Sequence, residues 1–150
     1  ETPQKLKNRL GHAAYFVSAA TALKSIHPIK VRIRTEEGFE MEDDVIFCAV
    51  SNSISLAGAI KLRRREVGLN DGVFELMIVS YPRNILEVRN KVMRLLTRDF
   101  THEDVHLMRT RRAEFTFTEE VPWTVDGEYA GAHQTVVIEN VHNAVQIFRR

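Results

Sequence analysis

The sequence carries two Asp-Gly pairs, Asp71-Gly72 and Asp126-Gly127, each beside a run of apolar residues. An aspartate in such a place has two uses. It can serve the turn, because Asp and Gly both tolerate the positive φ that a type I′ hairpin requires. Alternatively the turn serves it, holding a carboxylate out as a reagent. In Val121-Pro122-Trp123-Thr124-Val125-Asp126-Gly127-Glu128-Tyr129 the local pattern is a hairpin with the acid at its tip. In Gly68-Leu69-Asn70-Asp71-Gly72-Val73 a carboxylate lies beside turn carbonyls. That set suits a hard cation such as Mg²⁺, which takes oxygen ligands and keeps several waters. A plain turn accounts for either segment, and residue types alone do not choose.

Other groupings carry less. His102-Glu103-Asp104-Val105-His106 matches H-E-x-x-H, in which two imidazoles one helical turn apart grip zinc and the glutamate acts as base. The pattern works only on a helix, and here it leads into Leu107-Met108-Arg109-Thr110 and an alternating strand, with no third ligand at a familiar spacing. It reads as coincidence. His12, His27, His133 and His142 show no ligand spacing and read as surface or capping residues. The basic run Lys61-Leu62-Arg63-Arg64-Arg65 is either a solvated surface or an attraction to anionic headgroups, worth about 1 kcal/mol per basic residue and screened by salt. No aromatics interleave with it, which argues against nucleic acid. Trp123 reads as a core or rim aromatic.

The 150 residues are 44% hydrophobic and 27% charged, a globular composition of single-domain length with a formal charge of +1. So small a charge gives no global field, so electrostatic recognition would need a local patch. The single cysteine, Cys48, lies within Val45-Ile46-Phe47-Cys48-Ala49-Val50 and reads as buried and unreactive, which fits a reducing, cytoplasmic setting. No apolar run approaches the roughly 18 residues that a membrane span needs, and no signal-peptide core is present. The chain begins at Glu1 with a helix signal almost at once, which suggests a piece of a longer polypeptide.

The elements that must position these residues follow from periodicity. Thr2 and Pro3 can open a helix in which Leu6, Leu10, Ala13, Val17, Ala20 and Leu23 share a face. Ile29, Val31 and Ile33 alternate with Lys30, Arg32 and Arg34, as in a half-exposed strand that ends in a Glu37-Gly38 turn. Val45 to Val50 and Val73 to Val79 are nearly continuous apolar runs, as in strands covered on both faces. A second helix starts at Asn84, with Glu87 completing a capping pattern and Ile85, Val88, Val92, Leu95 and Leu96 on one face. After Phe100, strands return through Phe115 and Phe117, Val136 to Ile138, and Ala144 to Phe148. The expectation is a mainly β fold with helical additions, an α+β β-sandwich in one domain.

Four segments taken in order give a stronger signal: Arg9-Leu10-Gly11 to Tyr15, Asn52-Ser53 to Gly58, Asn70-Asp71-Gly72-Val73-Phe74-Glu75-Leu76, and Trp123-Thr124-Val125-Asp126-Gly127-Glu128. Together they cover nearly the whole chain. The arrangement resembles the C-terminal domain of the lipid kinases that include the soluble bacterial diacylglycerol kinases and the sphingosine and ceramide kinases. The resemblance implies that Asp126 is the general base and that Glu128 lies near ATP and its Mg²⁺. It implies a structural Mg²⁺ site at Asp71 with the main-chain carbonyls of Gly68 and Val73. It further implies a lipid alcohol such as diacylglycerol as substrate, a cytoplasmic enzyme in peripheral membrane contact and no nucleic-acid partner, and leaves a homodimer open. The family's glycine-rich G-G-D-G-T nucleotide motif does not occur in these 150 residues, so the chain is expected to be the acceptor-side half of an enzyme. The alternative is a membrane- or protein-binding sandwich whose acidic turns are only turns.

Overall fold

The computed structural model describes residues 27–53, 55, 56, 60, 61, 68, 70–97 and 105–145. The expected first helix, most of the basic run, residues 102–104 of the H-E-x-x-H segment and the last residues of the expected terminal strand lie outside the described residues. Within them, β1 (Ile29–Thr35), β2 (Glu40–Ser51), β5 (Phe74–Ser80), β6 (Val105–Thr110), β7 (Arg112–Val125) and β8 (Glu128–Glu139) form one antiparallel sheet in the order β6-β5-β2-β1-β7-β8. A separate small hairpin joins β3 (Ser55–Leu56) to β4 (Ile60–Lys61). One helix, α1 (Ile85–Thr97), follows β5. The mainly β fold expected from the sequence is the fold that forms.

The sheet is not flat, and β2 is the reason. Its first half pairs with β1, from Arg34↔Glu40 to Ile29↔Val45. Its second half pairs with β5, from Val45↔Ser80 to Ser51↔Glu75, and the ladder slips between Val45 and Phe47. Such a bulge bends a strand and strengthens its twist. In a flat sheet β5 and β7 would stand three strand spacings apart, about 14 Å. Instead Phe74, Leu76 and Ile78 of β5 share one buried cluster with Val31 and Ile33 of β1 and Phe115 and Phe117 of β7. The sheet therefore folds over on itself at β2, the way a corner strand serves two layers of a sandwich. Arg111 alone separates the ends of β6 and β7. Buried Thr110 holds that corner, its Oγ1 donating to the Arg112 carbonyl at 2.8 Å.

Burial follows the layering. In β1, Val31 and Ile33 are buried while Lys30, Arg32 and Arg34 face solvent, where Arg32 and Arg34 pair with Glu42 and Glu40 on β2. All seven residues of β5 are buried, because a second cluster of Met77, Val79 and Val105, flanked by Ile46, Phe47, Ala49 and Leu107, covers its other face. Cys48 packs against the main cluster, and burial pushes its thiol up to about 12.

Helix α1 starts where its cap places it. The Glu87 amide donates to Asn84 Oδ1 at 3.0 Å, and the Glu87 carboxylate accepts from the Asn84 side-chain amide at 2.7 Å and from the Arg83 amide at 2.8 Å. Val88 is half-buried as expected, whereas the side chains of Ile85, Val92, Leu95 and Leu96 lie outside the described residues. Lys91, which the apolar periodicity does not anticipate, is buried, and desolvation draws its pKa below the usual lysine range. Ala144 and Val145 are not in a strand.

Two outcomes are expected. Phe115→Ala empties a fully buried ring site and destabilises the fold by about 3–5 kcal/mol in urea unfolding. Cys48, with almost no thiolate at pH 8, is alkylated far more slowly in the native chain than in denaturant, where its pKa returns to about 8.5. Equal rates in both conditions would show that the thiol is not enclosed.

Candidate functional site

β7 and β8 form the longest hairpin of the molecule's described part, with 14 and 12 residues. Its base is the Arg112↔Glu139 pair and its last pair is Val125↔Glu128. The two-residue turn has φ of 51° at Asp126 and 88° at Gly127, the positive pair that a type I′ turn demands. Gly127 supplies the second value without steric penalty, and a Cβ there would meet nothing within 4 Å. Below the tip, Trp123 packs edge-on against Phe115 at 5.4 Å and Phe117 at 6.0 Å between ring centroids. That contact ties the outer half of the hairpin to the core. Trp123 is thus the rim aromatic that the sequence suggests, although its Nε1 is buried without an acceptor among the described residues.

Asp126 and Glu128 are both exposed, and Asp126 makes no hydrogen bond or ion pair among the described residues. Val125 and Tyr129 flank them at 62% and 71% exposure. The apex therefore offers a carboxylate that is sterically accessible and has no partner among the described residues, with two apolar side chains beside it. Sequence reasoning singled out the acids but not this apolar flank, which alternation conceals because strands normally turn such residues inward.

The other Asp-Gly segment stands at the opposite end of the β7–β8 ladder. The Asn140 side-chain amide, just past the end of β8, donates to the Val73 carbonyl at 3.0 Å. Asp71 thus sits near the hairpin base, and up to about 40 Å of strand separates it from the tip. The structure does not bring Asp71 and Asp126 together within this domain.

Around Asp71 the donors fit a hard cation. Oδ1 accepts the Val73 amide at 3.2 Å, closing the turn. The carboxylate lies so close to Gly68 that a Cβ on residue 68 would collide with Oδ2. Only glycine leaves that space, so the main chain at Gly68 and the Asp71 carboxylate share one small cradle. The Val73 carbonyl keeps one lone pair beyond its bond to Asn140. All of these donors are oxygen, the type Mg²⁺ prefers. The described residues contain no cluster of three or more His, Cys, Asp or Glu that could hold a metal, so main-chain oxygens and water would have to complete the shell. His106 lies on strand β6, where its ring meets Phe39 at 5.7 Å, so the helix that an H-E-x-x-H zinc site needs is not formed at that residue.

Two residues missed by sequence reasoning complete this neighbourhood. Arg109 of β6 ion-pairs with Asp71 Oδ2 through Nη2, and its Nε lies 3.6 Å from Glu75 Oε1. Glu75 is 2% exposed, and neither of its oxygens has a hydrogen-bond partner among the described residues. Burial raises its pKa above the ordinary carboxylate range; the backbone N–H dipoles at Glu75 and Ser53 and the Arg109 charge oppose that shift, while Asp71 adds to it. The available signal was an acid inside the apolar run Val73 to Val79, at a position whose neighbours are all core residues.

Gly68→Ala is expected to displace the Asp71 carboxylate and break its ion pair with Arg109, whereas Gly127→Ala costs about 1–2 kcal/mol from backbone strain alone. Thermal unfolding of both variants, together with the chemical shift of the Arg109 guanidinium, separates the two effects. An unperturbed Arg109 signal in Gly68→Ala would contradict the cradle.

Comparison with known proteins agrees with this architecture. Residues 1–149 match the family model described as the YegS C-terminal NAD kinase beta sandwich-like domain. A diacylglycerol kinase of Bacillus subtilis (strain 168) is 28% identical over 131 residues, covering 87% of this chain and 43% of that protein. A probable lipid kinase YegS-like of Alcanivorax borkumensis is 25% identical over 150 residues, covering 99% of this chain and 49% of that one. A crystal structure from Bacillus anthracis str. Sterne, provisionally described as a diacylglycerol kinase, superposes with a TM-score of 0.62 at 20% identity, covering 85% of this chain and 41% of that chain. The chain spans less than half the length of these relatives. With a match that runs from its first residue to its next-to-last, the chain belongs to the family of YegS C-terminal NAD kinase beta sandwich-like domains, whose relatives here are named as lipid kinases.

Proposed function

We propose that this domain is the acceptor side of an ATP-dependent lipid kinase, and that Asp126 is the general base toward a lipid hydroxyl such as that of diacylglycerol. The observation that carries the reading is the apex itself. A type I′ turn braced by Trp123 holds an exposed carboxylate, unpaired among the described residues, between Val125 and Tyr129, in a chain related to proteins named diacylglycerol kinase.

Phosphoryl transfer proceeds through a loose transition state, so the protein's contribution is mainly position and charge. Asp126 would accept a hydrogen bond from the lipid hydroxyl, orient its oxygen for attack and take the proton late in the step. Val125 and Tyr129 would lie against the apolar part of the lipid. Glu128, the first residue of β8, would face the nucleotide and its accompanying cation. The phosphate-binding residues would come from a separate lobe bearing the glycine-rich motif. At the hairpin base, Asp71 with the carbonyls of Gly68 and Val73 would hold a Mg²⁺ ion whose role is to fix the loop. The enzyme would meet its substrate at the surface of a membrane; no helix among the described residues is long and apolar enough to cross one.

The test is phosphorylation of a panel of lipid alcohols with labelled ATP by a polypeptide that joins this domain to a nucleotide-binding lobe. Asp126→Asn keeps the shape of the apex and removes its basicity, and is expected to lower turnover about 10²- to 10⁴-fold with little change in folding stability. The 150-residue chain by itself is expected to give no turnover. A wild-type rate in Asp126→Asn would refute the assigned role.

A further inference from the structure

The pairing around Asp71 is unbalanced. Among the described residues, two carboxylates, Asp71 and Glu75, face one guanidinium, that of Arg109. The Asp71 side chain is 31% exposed and retains water, while that of Glu75 is 2% exposed and has none to spare. On desolvation grounds Glu75 needs the cation more, because a buried carboxylate without a partner is among the least favourable arrangements in a protein. Yet the guanidinium gives its contact to Asp71 and only approaches Glu75, at a distance too long for a hydrogen bond. Neither Glu75 oxygen has a hydrogen-bond partner among the described residues.

Arg109 is suited to serve either acid. It comes from β6, whose Arg109 pairs directly with Glu75 of β5 in the ladder, so the root of its side chain is fixed beside Glu75. Its fork can turn between the two carboxylates without any movement of the sheet. A divalent cation on Asp71 would compete with the guanidinium for Oδ2, the oxygen that Arg109 now occupies.

We propose that Arg109 is the resident counter-cation of this site, and that a divalent ion arriving at Asp71 transfers the guanidinium to the buried carboxylate of Glu75. Arg109 and Glu75 are then positioning residues that set the affinity of the loop for the ion without touching it. The inference rests on the Mg²⁺ reading of Asp71, Gly68 and Val73, and it makes ion binding and the Arg109–Glu75 pair mutually reinforcing.

Calorimetric titration of the full chain with MgCl₂ tests it. Arg109→Gln removes the competitor and is expected to tighten Mg²⁺ binding about twofold in wild type, below the limit of about fivefold that an exposed ion pair is ordinarily worth, because Glu75 already offers the guanidinium a second partner. Glu75→Gln, which preserves shape, leaves the guanidinium no second partner and is expected to weaken binding. The gain from Arg109→Gln should therefore be larger, by a factor of about two or more, in the Glu75→Gln background than in wild type. Additive effects would mean simple through-space electrostatics and would overturn the exchange. A wild-type Arg109 Nε resonance that moves as MgCl₂ is added supports the transfer, and one that stays fixed while Mg²⁺ binds overturns it, independently of how any variant folds. If wild type binds no Mg²⁺, or if binding survives Asp71→Asn, the metal site itself fails and the exchange fails with it. Binding that is lost in Asp71→Asn but indifferent to Arg109→Gln removes only the exchange.

Discussion

The domain depends on the change of partner within β2. One strand pairs with β1 through its first half and with β5 through its second, and the slip between Val45 and Phe47 turns the ladder between the two. Without that corner, β5 would have one face in solvent, and Phe74, Leu76 and Ile78 would be too far from Phe115 and Phe117 to share a core. With it, a single antiparallel sheet supplies both layers of a sandwich. The stability of the site regions derives from this closure more than from any local turn.

Closure also fixes where the chemistry can be. Once β7 joins the core through Ala113, Phe115 and Phe117, the rest of the β7–β8 hairpin extends from it, and Trp123 carries the packing outward almost to the turn. The apex is held by a braced ladder rather than a loose loop, which suits a group that must meet a substrate presented from elsewhere. The same closure brings the end of β8 against the loop before β5, where Asn140 holds the Val73 carbonyl. One hairpin therefore links the two Asp-Gly turns, with the exposed Asp126 carboxylate at its tip and the Asp71 turn at its foot.

Much of this was legible in the residues. Strict alternation predicted β1, and continuous apolar runs marked β5 and the second half of β2 as doubly covered, because those patterns report burial directly. The Asn84–Glu87 cap and the Asp126-Gly127 turn were readable because each depends on local stereochemistry. The β2 bulge was not, since a slip of register leaves no mark in composition and arises only when two partners compete for one strand. Arg109 and Glu75 escaped for a similar reason. They are far apart in sequence, on strands whose pairing must be known before a charge on each becomes a site. The exposed Val125 and Tyr129 were hidden by the rule that strand apolars face inward, which fails at a hairpin apex that extends beyond the core.

The proposed role of Asp126 requires its apex to face the phosphate donor across a cleft between this domain and a nucleotide-binding lobe. A crystal structure of the joined polypeptide with bound nucleotide tests it most directly. The Asp126 carboxylate is expected beside the terminal phosphate, with room for one hydroxyl oxygen about 2.6–3.2 Å from the carboxylate. An apex turned away from the nucleotide, with the hairpin lying outside the cleft, would contradict it.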